Sequence, residues 1–281
     1  MILLDKNYLK ESYNQLSEDF QKTLESLKDY EINQTPSNSG WTVAQVVSHI
    51  TKANDSRFLI AKGRSCDRSP VERIPELENI FMNFELKMES PEFILPDQKV
   101  FSKEACILNV KKCFLSLIDR LEDCNTEEII KTPFGDLTKW EMANFLIFHS
   151  KRHLFQLRNL ALSLKVEHRA TVALAFSLGK FNETYPFLAK NIHWTVIGER
   201  SISGKNAVFE RCEQVAAYFS SVEIDFKTEQ IIKEDSNVVI RGTAKFIRNM
   251  DTISFVSACD VYEFNKDNLL VSINSYCIPI T

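Results

Sequence analysis

Three of the five histidines occupy positions from which they could bind one metal ion. His149 and His153 are four residues apart in a segment with an apolar stripe, and His49 lies in a second such segment. On an α-helix, residues i and i+4 lie on the same face with Cβ atoms roughly 5–6 Å apart, so both imidazoles could reach the same ion. A third imidazole from a facing helix would complete a site with three ligands.

Such a site would suit catalysis. Three neutral nitrogen ligands leave coordination positions open for water or a thiol, and the ion would lower the pKa of that molecule to near neutrality, which generates hydroxide or thiolate. Zinc, nickel, iron and manganese all accept imidazole, so the identity of the divalent ion stays open. A zincin-type peptidase is disfavoured, because Ser150 stands where the H-E-x-x-H motif has its glutamate.

Hydrogen-bonded core histidines are the alternative interpretation of the same residues. Each buried imidazole needs polar partners, and a shared ion would satisfy all three together. Gln156, one turn beyond His153, is interpreted as a residue that satisfies the hydrogen bonds of a buried amide rather than one that contacts a substrate. Arg152 is interpreted as a solvated charge. No residue in the sequence is an obvious separate general base.

The elements that would position these histidines are four long helices within residues 1–165. Two of them begin with capping boxes, formed by Thr42 with Gln45 and by Thr138 with Glu141. Four helices joined by one irregular crossover predict a four-helix bundle, in which metal sites are built from side chains on facing helices. The predicted helices cover 6–29, Thr42 to about Ala53, 103–122 and Thr138 to about Leu164, with a break at 36–40, and the crossover covers 63–101 with at most a short helix near 76–87.

The second half of the chain has a different pattern, and residues 170–281 are predicted to form a separate domain. The boundary is placed at the charged stretch Lys165–Arg169. Short helices followed by β-branched runs with hairpin turns between them predict an α+β fold. Helices are predicted at 171–178, 180–189 and 204–219, and strands at 191–197, 222–233, 237–249, 252–265 and 268–278.

Composition narrows the class of protein. A formal net charge of −4 and a pI near 5.8 disfavour nucleic acid as a partner. The apolar start at residues 1–4 is too short for a signal segment or a membrane span, so a cytoplasmic protein with no membrane partner is expected. The seven cysteines form no C-x-x-C pair and are interpreted as reduced packing residues.

The first domain resembles the DinB-like family over roughly residues 1–165. The resemblance rests on the strings WTVAQVVSHI (41–50), GDLTKWE (135–141) and HSKRHLFQL (149–157), in this order and with this spacing. It implies a bundle in which a histidine of the second helix and an H-x-x-x-H pair of the fourth bind a divalent metal, and these positions match His49, His149 and His153. The family includes metal-dependent transferases of low-molecular-weight thiols such as bacillithiol or mycothiol and metal-dependent hydrolases, besides many members with no known activity.

The second domain resembles the SnoaL-like branch of the nuclear transport factor two-like superfamily. The matching strings are GKF (179–181), NIHWTV (191–196), SGKNAV (203–208), DVYEF (260–264) and NSY (274–276). The resemblance implies a curved sheet wrapped by helices into a cone with a ligand pocket, and relatives that range from cyclases and isomerases to binding modules. Asp260 and Tyr262 share a strand face, and His193 or Tyr276 could approach the same cavity. The alternative is that these four are rim or core polar residues.

Two classes of function therefore stay open. In the first, a metal-activated thiol or water attacks a small electrophilic substrate, which makes the protein a transferase or hydrolase, while the second domain captures an apolar ligand or mediates homodimerisation. In the second, the metal holds the bundle together and the cone binds a small molecule without catalysis. Isomerase or cyclase chemistry in the cone is a further alternative.

Overall fold

A computed structural model describes residues 5–36 and 40–280. The chain divides into two compact units, Met1–Leu162 and Ser163–Thr281. The apolar start at 1–4 and most of the break predicted at 36–40 lie outside the described residues. The mixed α+β class is confirmed, with a helical first unit and an α+β second unit.

The first unit is built around four long helices, as predicted. The helices are α1 Lys6–Glu25, α2 Val43–Ala53, α3 Arg57–Ile60, α4 Ile74–Phe81, α5 Lys103–Glu122 and α6 Lys139–Ser177, with 3-10 turns at Asp29–Asn33 and Glu92–Ile94. Helix α1 contacts α5 through Tyr13 and Phe114, whose ring centroids are 6.2 Å apart, and the Tyr13 hydroxyl donates to the carbonyl of Ala143 on α6. On α2, Asn54 Nδ2, at the helix C-cap, donates to Ser150 Oγ of α6.

Both predicted capping boxes are present, and they fix where the histidine-bearing helices begin. Thr42 Oγ1 accepts from the Gln45 amide at 3.2 Å, and Gln45 Oε1 accepts from the Thr42 amide at 2.9 Å. At the start of α6, Thr138 Oγ1 accepts from the Glu141 amide at 3.0 Å, and Glu141 Oε2 accepts from the Thr138 amide at 2.9 Å. These bonds satisfy amides that a helix start otherwise leaves without a partner.

A short hairpin that the sequence pattern did not predict precedes α6. It consists of β1 Ile129–Thr132 and β2 Gly135–Thr138, paired antiparallel. Gly135 has a φ of 90°, a conformation that favours glycine. Strands of four residues show too little alternation for a pattern of period two to be recognised.

The predicted end of the fourth helix near Leu164 is wrong, because α6 continues to Ser177. The charged stretch Lys165–Arg169 suggested a break, yet Arg169 is buried. Its guanidinium donates to Asn268 Oδ1 at 2.9 Å and to the carbonyl of Asp235 at 2.6 Å. Both partners lie in turns between strands of the second unit, so this charge holds the hairpins rather than marking an exposed linker.

The second unit is a six-stranded sheet of β3 Leu188–Val196, β4 Arg200–Ser203, β5 Glu223–Glu234, β6 Asn237–Arg248, β7 Asp251–Phe264 and β8 Leu270–Pro279. The strand order is β4-β3-β8-β7-β6-β5, in which β3 and β8 run parallel and the other pairs antiparallel. The turns predicted between the long strands are present, with positive φ at Asp235, Asn249 and Asn268. The helix predicted at 180–189 is limited to a single turn, because the chain enters β3 at Leu188. The helices of this unit are α7 Phe181–Thr184 and α8 Lys205–Phe219, with a 3-10 turn at Tyr185–Phe187.

The remaining general features agree with an ordinary globular chain. All seven cysteines are free. Within residues 5–36 and 40–280, no helix combines the length and the apolar character that crossing a bilayer requires.

Candidate metal centre

The three predicted histidines converge on one point in the first unit. The Nε2 atom of His49 lies 3.1 Å from that of His153 and 3.4 Å from that of His149, and the Nε2 atoms of His149 and His153 are 3.1 Å apart. Nitrogen ligands about 2.0–2.1 Å from a tetrahedral ion would be roughly 3.3–3.4 Å from one another. The three ring nitrogens are therefore spaced as ligands of one small cation.

The hydrogen bonds of the outer ring nitrogens direct lone pairs into this point. His49 Nδ1 is 2.8 Å from the carbonyl oxygen of Ile94, which can only accept, so His49 carries its proton on Nδ1. His153 Nδ1 is likewise 2.8 Å from Gln156 Oε1. Both Nε2 atoms then present lone pairs to each other at 3.1 Å, and a cation between them would replace their repulsion by attraction.

A proton is a poor candidate for that cation. Burial lowers the pKa of His49, lowers that of His153 to about 3 and lowers that of His149 well below its ordinary value. Neutral imidazoles are the form that binds metals. His149 Nδ1 is buried with no hydrogen-bond partner among the described residues, so a proton on this atom would lack an acceptor. The free energy lost by burying that N–H group would be offset in part if Nε2 of the same ring bound an ion. The donor set therefore fits a divalent metal.

Aromatic rings hold two of the histidines in place. The ring of Trp41, which directly precedes the cap of α2, lies 4.9 Å from the ring of His49. On α6 the ring of Phe145 stacks on that of His149, with centroids 5.6 Å apart and planes 29° from parallel. Because Phe145 is buried, His149 has little freedom to rotate away from the other two ligands.

The histidines open into an apolar cavity of about 160 Å³. Its wall includes Ile94 and Phe93 of the crossover, Phe81 at the end of α4, and Met142 and Phe145 of α6. An ion bound by the three histidines would thus face a chamber rather than being enclosed by protein atoms. Open coordination positions of this kind distinguish catalytic from structural zinc sites.

The interpretation of Arg152 as a solvated charge is wrong. Arg152 lines the cavity, and its guanidinium donates to the carbonyls of Phe81, Asn83 and Leu86, the second of these at 2.7 Å. It therefore holds the middle of the crossover, residues 81–86, against the helix that carries two of the ligands. Partial burial also lowers the pKa of Arg152.

In the second unit, the structure separates the four candidate residues into two faces of the sheet. Asp260 and Tyr262 are buried on one face, where the Ser177 hydroxyl donates to Asp260 Oδ2 at 2.9 Å and lies 2.6 Å from the Tyr262 hydroxyl. His193 and Tyr276 are exposed on the other face, because their strand neighbours Trp194 and Ser275 are the buried ones. The expectation that His193 or Tyr276 approaches the same cavity is therefore wrong.

The buried pair in the second unit already has its partners. Trp194 Nε1 donates to Ser275 Oγ at 3.2 Å, and burial raises the pKa of Asp260 while the hydroxyls of Ser275 and Ser177 oppose that rise. Each polar group of this network is satisfied by another, as buried polar groups in a core usually are. The arrangement favours the interpretation of Asp260 and Tyr262 as core polar residues.

Comparison with known proteins agrees with this geometry. The DinB superfamily pattern matches residues 12–157, more than half of the 281 residues, and this span contains all three histidines. The chain belongs to the DinB superfamily. It is similar to the uncharacterized protein YuaE of Bacillus subtilis (strain 168), with 26% identity over 144 residues that cover 49% of this chain and 87% of YuaE.

The part of the chain outside the DinB match is similar to solved structures of another fold. One is an NTF2-like protein of unknown function from Cytophaga hutchinsonii, with 27% identity and a TM-score of 0.37, covering 41% of this chain and 99% of that one. Another is a SnoaL-like family protein from Agrobacterium tumefaciens, with 10% identity and a TM-score of 0.31, covering 41% of this chain and 97% of that one.

Several residues around the DinB-type histidines had no signal in the sequence. Ile94 orients His49 through its backbone carbonyl, and a main-chain contact leaves no trace in residue type. Phe81 and Phe93 lie in or beside a crossover without helical periodicity. Their apolar character was the available indication that the crossover covers part of the first unit.

Gln156 is expected to set the metal affinity of this DinB-type site through His153. Replacing Gln156 with Leu removes the acceptor of the His153 Nδ1 proton, and loss of such a partner typically weakens metal binding by about 10–100-fold. Competition with a chromogenic chelator would measure the change in dissociation constant. Gln156→Glu keeps an acceptor oxygen and should bind at least as tightly as the native protein, and equal affinity for the Leu and Glu variants would contradict this role.

Proposed function

We propose that this protein is a divalent-metal-dependent enzyme that activates a thiol or a water molecule for attack on a small electrophilic substrate. The observation that carries the proposal is the convergence of three Nε2 atoms, 3.1–3.4 Å apart, in the wall of an apolar cavity. Zinc, nickel, iron(II) and manganese all suit such ligands. When bound, the ion would supply Lewis acidity, which lowers the pKa of a thiol or water.

The protein's own residues would contribute binding, orientation and exclusion of water. His49, His149 and His153 would hold the ion, with His49 oriented by Ile94 and His153 by Gln156. The crossover closes one side of the cavity through Phe93 and Ile94, and Arg152 keeps the middle of the crossover, residues 81–86, in place. A cavity that is largely apolar strengthens electrostatic interactions inside it because less water screens them.

The alternative is that the ion only holds the bundle together. Replacing His149 with Ala removes a ligand in either case, and turnover separates the two functions. A catalytic site loses metal-dependent turnover, whereas a purely structural site has no turnover and loses only the stabilisation that the ion provides. Two reactions would be followed with metal-depleted protein reloaded with each of the four ions. The first is conjugation of L-cysteine to 1-chloro-2,4-dinitrobenzene, and the second is hydrolysis of p-nitrophenyl acetate.

We expect metal-dependent turnover by the native protein and a decrease of at least about 100-fold in His149→Ala. Lys151→Ala is the matched control, since Lys151 is exposed on the same helix and should keep full activity. Circular dichroism of the metal-free proteins would verify the fold. Absence of turnover with every ion, together with a lower unfolding temperature of metal-treated His149→Ala, would favour the structural role.

A further inference from the structure

The cavity beside the three histidines has a definite size and chemistry, and both restrict what it can hold. Its volume is about 160 Å³, and besides the histidines its wall is dominated by aromatic and thioether side chains. An apolar protein cavity of roughly 150 Å³ is known to stay dry and to bind benzene. We propose that this cavity selects a molecule with a single apolar ring, or an apolar group of that bulk, whose reactive polar group faces the histidines. This proposal rests on the proposed function and specifies its substrate class.

Two buried aromatic rings, those of Phe81 and Phe145, limit the size of the cavity on one side, and the partly exposed Phe134 packs against both. The centroid of Phe145 is 4.9 Å from that of Phe81 and 4.7 Å from that of Phe134, and Phe81 and Phe134 are 5.7 Å apart. Phe81 and Phe145 are buried, so neither can swing outward to enlarge the space. Their edges and faces offer the contacts that another ring prefers, at centroid distances of about 4.5–7 Å.

The few polar groups of the wall also favour a ligand that is largely apolar. Apart from the three histidines, the polar residues that line the cavity are Glu89, Ser90 and Arg152. The Arg152 guanidinium is committed to three backbone carbonyls, and Glu89 lies in the exposed part of the crossover. A molecule with many hydroxyl groups would therefore lose hydrogen bonds to water without replacement, which disfavours its binding. One polar group directed at the histidines is the pattern that the wall satisfies.

The test uses ring probes and metal-free full-length protein, so it requires neither an ion nor turnover. Fluorobenzene and 1-fluoronaphthalene would be titrated against the native protein and followed by fluorine-19 NMR. We expect saturable binding of fluorobenzene and binding of the two-ring probe that is weaker by at least about tenfold, which corresponds to about 1.4 kcal/mol. Equal affinity for the two probes would overturn the size limit.

Cavity-filling variants show whether the probe occupies this cavity. Ala53→Leu fills it from α2 and Ser90→Leu fills it from the crossover, so that one variant remains if the other fails to fold. Each should weaken fluorobenzene binding at least about tenfold. Ala105→Leu, on α5 and outside the cavity wall, is the matched control and should bind like the native protein.

The possible failures can be told apart. If fluorobenzene does not bind, or if it binds the filled variants and the native protein equally, the proposed ring selectivity is wrong. The proposed metal-dependent reaction is not affected by that result. If fluorobenzene binds as expected and no ion supports turnover, the proposed reaction fails and the cavity is a binding site for apolar rings. Addition of 4-fluorothiophenol to zinc-loaded protein completes the test, since its thiol should raise affinity over fluorobenzene only when the ion is present.

Discussion

Loading the protein with a divalent ion at about 1,000 times its dissociation constant is expected to raise the free energy of unfolding of the four-helix unit by about 4 kcal/mol. The reason is that His49, His149 and His153 are brought together only in the folded state, so the ion binds the folded form and not the unfolded one. Relief of the facing lone pairs of His49 and His153 is part of this gain. For a unit of this size, the expected rise in unfolding temperature is about 8–16 °C.

Calorimetry of metal-free and metal-loaded protein measures this effect, and one variant locates it. His153→Ala removes a ligand and should abolish nearly all of the shift, whereas Lys151→Ala, exposed on the same helix, should retain it. An equal shift in His153→Ala and the native protein would mean that the ion stabilises the fold from another place. Such a result would remove the basis of the proposed reaction.

The histidine ligands could be predicted from sequence because helices make their spacing informative. Two histidines at i and i+4 on an apolar stripe lie on the face of the helix that packs against its neighbours. The capping boxes at Thr42 and Thr138 define where the two helices begin. What surrounds the ligands could not be predicted in this way. Ile94 acts through a backbone carbonyl, and Arg152 binds three carbonyls of a segment whose path is not encoded in any periodicity.

The second unit shows the same contrast between local pattern and tertiary context. Alternation along β7 places Asp260 and Tyr262 on one face, as the sequence predicted. Which residues of β8 join them depends on register, and Asp260 pairs with Ser275, so Tyr276 turns to the opposite face. Arg169 is a similar case, since a charged residue normally indicates exposure and only its distant turn partners explain its burial.

The carboxylate of Glu141, at the start of the helix that bears His149 and His153, is expected to contribute several kcal/mol to the free energy of unfolding. Its side chain is 0% exposed, and both of its oxygens accept from the Arg68 guanidinium at 2.6 Å. It also accepts from the backbone amides of Arg73 and Thr138. Glu141→Gln replaces an acceptor by an amide donor that faces other donors. Breaking a fully buried pair costs about 3–5 kcal/mol, and because the Arg68 side chain keeps 21% exposure the lower end of that range is expected. Urea unfolding of the metal-free protein would measure the loss.

Acid should reproduce part of this loss in the native protein. Burial alone would raise the pKa of Glu141, but the hydrogen bonds from Arg68, Arg73 and Thr138 outweigh it and hold the pKa below its ordinary value. The stabilisation is therefore fully present above about pH 4.3, the ordinary value for glutamate, and is lost as the pH falls below it through the folded-state pKa. Glu141→Gln should lack this component of the acid dependence.

The more exposed pair of Glu76 and Arg73 provides the control for the effect of burial. Glu76→Gln should change the free energy of unfolding little. A loss as large as that of Glu141→Gln would show that burial is not the cause.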